Sequence, residues 1–214
     1  MYSNLEFAAV SLSLIFFIVD PLGNAAIFLA VTEGQTVAER NRTALRASTA
    51  TFLILLVFAF VGEWILRLLR VTISSFQIAG GILIFLIALS MLQAQRSRAK
   101  STPQEEQERH GGEDVAIFPL AIPMLSGPAA ITTVMVLINL SASPLHRALV
   151  VLSIALTAVS CYLILRASGS LLKFLGATGI NVLTRLMGLL LAVISVQFVI
   201  DGIKAALGEI SPGK

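Results

Sequence analysis

The chain has 214 residues, 57% of them hydrophobic and only 13% charged, and its mean hydropathy is +0.91. A water-soluble domain carries about a quarter charged residues, so this composition excludes one and indicates a multi-pass membrane protein. The net charge of +3 does not mark a nucleic-acid binder, because the basic residues sit between apolar blocks and form no patch interleaved with aromatics.

Taken in chain order, MYSNLEF lacks the basic region and cleavage site of a secretory signal, so the first apolar run reads as a retained span. It covers residues 5–31 and is interrupted by Asp20-Pro21-Leu22-Gly23-Asn24. The second span is expected at 44–69, with Glu63 and Arg67 spaced as a helix-surface ion pair, and the third at 73–92. A polar stretch, 94–114, follows. His110 there stands among Glu108, Glu113 and Asp114, but the segment reads as a solvated linker and not as a metal site. The fourth span, 115–140, is broken by Pro119, Pro123 and Ser126-Gly127-Pro128. The fifth is expected at 145–165 and the sixth at 180–207. Cys161, the single cysteine, reads as a small apolar residue. Helices are the assignment throughout, because the runs lack the alternation of a membrane barrel.

The linker divides the chain into a first three-helix repeat, 1–93, and a second, 115–214. Ile18, Gly23, Ala25, Ala26 and Ile27 recur in the same spacing as Ile122, Gly127, Ala129, Ala130 and Ile131. QIAGGILIFLIAL in the third span aligns with RLMGLLLAVISVQ in the sixth. Three is an odd number of spans, so the two copies enter the membrane from opposite sides. The expected fold is therefore an all-α membrane protein of six transmembrane helices, arranged as two inverted three-helix repeats, with the first and fourth helices broken near the midplane. Ten of the 15 basic residues fall in the linker and the loops on its side. That excess places 94–114 in the cytoplasm and both termini outside.

The breaks carry the candidate chemistry. Asp is a preferred helix N-cap and Pro a preferred first helical residue, so Asp20-Pro21 reads as a helix start inside the membrane. Ser126-Gly127-Pro128 has the same grammar. Helix starts present N–H groups that attract anions, and helix ends present carbonyls that attract cations. Paired interruptions of this kind point to a midplane binding site. A small zwitterionic amino acid matches both kinds of end, with Asp20, Gly23, Asn24, Ser126, Gly127 and Thr132 as the expected substrate-binding residues. Asp20 reads equally as a cap and as a site for a coupling proton or cation. No cofactor, metal or nucleic-acid partner is expected; the lipid bilayer is, and an oligomer is compatible with the pattern. No nucleophile–base set lies at membrane depth, which argues against an enzyme.

The motifs DPLGN, PMLSGPAAITT, QIAGGILIFLIALSML and RLMGLLLAVISVQFVIDGI resemble the MarC family over essentially the whole chain. The resemblance implies a prokaryotic inner-membrane protein, and some relatives in that family are described as transporters of small neutral amino acids such as glycine and alanine. The expected function is a secondary transporter of that class, working by alternating access. The alternative is an integral membrane structural or assembly protein whose broken helices serve packing.

Overall fold

The computed structural model of the chain describes residues 3–93 and 116–210. The linker reading and the His110 cluster lie outside the described residues. Among the described residues, eight helical elements follow one another: α1 (Asn4–Val19), α2 (Pro21–Val31), α3 (Val37–Leu68), α4 (Ile73–Leu92), α5 (Ala116–Leu125), α6 (Pro128–Asn139), α7 (Pro144–Arg166) and α8 (Ser168–Ile210). Among the described residues there is no strand. Hydroxyl caps begin four of these helices. Ser3 and Thr36 close capping boxes with Glu6 and Glu39, while Thr72 and Ser143 accept from Ser75 N and His146 N.

Two expected boundaries move. The second span extends back to Val37 because the Thr36–Glu39 box starts a helix before the apolar run begins. In α8, Gly176 leaves helical geometry at φ 64 and ψ 175, so the helix is kinked there and the apolar stretch proper is Thr178–Gly208. Arg70, at φ 56, ends α3 in the same left-handed region.

Among the described residues, five helices are long and apolar enough to cross a membrane, counting Asn4–Val31 through its interruption. The fourth expected span appears as two shorter pieces, α5 with 10 residues and α6 with 12. α5 is wound as a wider π-type helix; Pro119 and Pro123 within it have no N–H to give to a regular ladder.

In lipid, helices associate through close packing, and glycines permit it. α4 and α8 show this most clearly. A Cβ on Gly81 would lie 2.9 Å from Ser195 O and 3.1 Å from Phe198 Cβ, and one on Gly188 would lie 3.0 Å from Ala88 O and 2.8 Å from Met91 Cβ. Gly202 meets Ser74 and Ile78 near the start of α4, so the two helices run antiparallel. α3 packs on α7, and α6 is enclosed by α1, α3, α4 and α7. Gly62 of α3 receives Met135, and Gly80 of α4 receives the Thr132 methyl. Every residue of α6 from Thr132 through Ile138 is buried, which leaves no face for lipid. α2 instead buries a single stripe, Pro21, Asn24, Ala25 and Phe28.

Candidate functional site

The first break is closed by its own side chains. Asp20 adopts φ 52 and ψ 61, a left-handed conformation that aspartate tolerates better than most residues. Its N–H still completes α1 by donating to Phe16 O at 3.0 Å. The Gly23 N–H donates to Asp20 Oδ1 at 3.0 Å, and Pro21 takes the first helical position of α2. Asn24 Nδ2 donates to Val19 O and Asp20 O, both at 2.9 Å. Asn24 thus serves the carbonyls at the end of α1. Gly23 has a steric reason, since a Cβ there would run into the Asp20 carboxylate. Asp20 and Asn24 are 4% and 1% exposed.

The second break is built differently. Ser126 directs both its N–H and its hydroxyl to Ala121 O, at 2.9 and 2.6 Å. Gly127 then begins α6 at φ −67 and ψ 173, ordinary extended backbone, and no side chain caps the helix. Pro128 takes the first helical position, and the Ile131 N–H donates to Gly127 O at 3.1 Å. The amides of Ala129 and Ala130 precede that bond, so nothing within α6 satisfies them. Thr132 and Thr133 return their hydroxyls to Pro128 O and Ala129 O, at 2.8 and 2.9 Å. Asp20, Gly23 and Asn24 therefore share one break, and Ser126, Gly127 and Thr132 the other. The breaks lie on packed elements, with α1 against α6 and α2 against α5.

Among the described residues, no group of three or more His, Cys, Asp or Glu side chains is placed to hold a metal. Glu63 and Arg67 form the expected surface ion pair on α3. Gln197 donates to Asp201 Oδ1 of its own helix at 2.7 Å.

One buried group escaped the sequence reading. His146, 7% exposed, stacks on Phe7 with ring centroids 4.3 Å apart, and its Nε2 lies 3.1 Å from Asn4 Oδ1. Its signal was positional: the Ser143-Pro144 helix start puts it on the buried stripe of α7 that continues through Val150, Ser153 and Thr157.

Comparison with known proteins identifies the lineage. Residues 5–207 match the family described as MarC family integral membrane protein. The chain belongs to the MarC family. It is 38% identical to the UPF0056 membrane protein MJ1677 of Methanocaldococcus jannaschii over 204 residues, which covers 95% of this chain and 99% of that one. It is 38% identical to the UPF0056 membrane protein YvbG of Bacillus subtilis over 205 residues, covering 95% and 96%. YhcE of Escherichia coli is 38% identical over 190 residues, covering 89% and 88%. These MarC-family relatives are called membrane proteins and nothing more, and they occur in bacteria and archaea alike. No solved structure matches the chain. Membership and fold together make this an integral, multi-pass, all-helical membrane protein.

Proposed function

We propose that this MarC-family chain is a secondary transporter of small neutral amino acids, of the glycine or alanine kind, in the prokaryotic inner membrane. Six spans in two inverted three-helix repeats alternate access to a site between the breaks, with the termini outside and 94–114 cytoplasmic. The observation that carries the reading is the start of α6: an uncapped helix N-terminus on an element buried through Thr132 to Ile138. The substrate carboxylate takes the Ala129 and Ala130 amides, and its ammonium group faces the side of Asp20.

Two features support the inverted arrangement. Exchanging the halves, with the third and sixth spans shifted by one residue from the alignment of their sequences, carries the Gly81 contacts with Ser195 and Phe198 onto those of Gly188 with Ala88 and Met91, across an antiparallel pair. A constant shift likewise carries Ala44, Ala47, Ser48, Thr51, Leu55 and Ala59 of α3 onto Val150, Ser153, Ile154, Thr157, Cys161 and Leu165 of α7, all buried. The Asn4–His146 contact argues for six crossings. It puts the starts of α1 and α7 at the same end of the bundle, which requires an even number of crossings between them, and α5 with α6 supplies the fourth.

Purified protein in liposomes is expected to accumulate labelled glycine or alanine. No uptake of any small amino acid, with or without a pH gradient, would sink the proposal. The assembly-protein reading draws on the internal closure of the first break; it predicts no thermal stabilisation by any amino acid.

A further inference from the structure

Hydroxyls on membrane helices ordinarily donate to a carbonyl one turn earlier, as Thr32, Thr51, Thr132, Thr133 and Ser153 do here. Ser11 and Thr157 do not. They are 0% and 1% exposed, and neither hydroxyl has a hydrogen-bond partner among the described residues. His146 Nδ1 is a third such atom, and it is the lone-pair nitrogen when Nε2–H donates to Asn4 Oδ1. Ser48 and Ser168 share the condition on other elements.

These three groups lie along one seam. Asn4 and Phe7 of α1 meet His146 near the start of α7, and Asp20 at the end of α1 is an electrostatic neighbour of Cys161 near the end of α7. The helices therefore run parallel. Ser11 follows Phe7 by one turn on the buried stripe of α1, and Thr157 precedes Cys161 by one turn on the buried stripe of α7. Helical rise spaces His146, Ser11, Thr157 and Asp20 by about 6–9 Å along the seam, a gap that one or two waters bridge. Buried polar atoms without protein partners are where ordered water resides.

We infer that the α1–α7 seam holds a file of ordered water joining His146, Ser11, Thr157 and Asp20, and that this file carries protons between the bundle end at His146 and the first break. A proton bound at His146 Nδ1 passes to the adjoining water, each water accepts one proton and gives up another, and the Asp20 carboxylate takes the last. One proton leaves the imidazole and one arrives at Asp20, which becomes a neutral acid. Its charge-assisted bond from the Gly23 N–H then weakens, so proton arrival loosens the start of α2. The hydration is independent of any cargo; only the use of the proton as a coupling ion rests on the transport reading.

Thr157→Val and Ser11→Ala test the water. In a hydrated seam each lowers the Tm of the purified protein, by about 2–4 °C, and the double variant loses less than the sum. In a dry seam the hydroxyl is an unsatisfied polar group, and its removal leaves the Tm unchanged or raises it; that result overturns the inference. Ser160→Ala, whose hydroxyl returns to Leu156 O, serves as the control and shifts little. After an acid jump, the carboxylic-acid infrared band of Asp20 should grow in faster in the wild type than in either variant, and equal rates overturn the proton path. Should amino-acid uptake be absent while the Tm losses hold, the transport reading falls and the hydrated seam stands. Uptake without a Tm loss for Thr157→Val sinks the seam alone.

Discussion

The two breaks begin from similar sequence and end in different chemistry. At the first, Asp20 and Asn24 turn inward and satisfy the loose ends of the helices they separate. At the second, Gly127 contributes no side chain, and α6 begins with no side-chain cap just ahead of buried Ala129 and Ala130. An interrupted helix is therefore not in itself a binding site. It becomes a candidate only where the freed backbone groups are left for something else to satisfy.

The strongest way to break this contrast is to make the second break like the first. Gly127→Asp supplies the missing cap, so folding stability should change by less than about 1 kcal/mol. Uptake of glycine or alanine should fall by roughly tenfold or more, the equivalent of a lost charge-assisted hydrogen bond. Retained uptake would remove the start of α6 from the site.

Gly23→Ala drives a methyl into the Asp20 carboxylate and should cost about 1–3 kcal/mol of stability in detergent unfolding. The matching Gly127→Ala should cost less, about 0.5–1 kcal/mol, since φ −67 suits any residue and only the poorer N-cap preference of alanine counts against it. Equal losses at the two glycines would erase the distinction between the breaks.

Asn24→Leu strips the side-chain donor from the Val19 and Asp20 carbonyls, the second of which keeps the backbone N–H of residue 24; it should cost about 1–3 kcal/mol, and a thermal melt reads it directly. A melt unchanged from wild type would show that water serves those carbonyls equally well.

The smallest effect separates cap from charge. Asp20→Ala should lose about 1 kcal/mol, whereas Asp20→Asn, which keeps a capping oxygen but gives up the charge on the Gly23 bond, should lose less, about 0.5 kcal/mol. A loss for Asn as large as for Ala would mean that the negative charge itself is required.

Much of the fold was legible because a membrane leaves helices few alternatives: apolar run lengths located the spans, and Asp20-Pro21 and Gly127-Pro128 located the interruptions. The start of α3 was misplaced because its first turns are polar, and capping by Thr36 and Glu39 outweighs apolarity there. His146 went unnoticed because its meaning depends on Phe7 and Asn4, far away in the chain and adjacent only in space.

By itself, the sequence determined a membrane-embedded helical chain, where its helices run, and where two of them must stop, because apolar length and the backbone chemistry of proline, glycine and aspartate act locally. The tertiary structure alone decided which break satisfies itself, which helix is enclosed on every side, and which hydroxyls are left facing a shared seam. Those outcomes depend on side chains brought within about 3 Å by packing, a distance that no local pattern specifies.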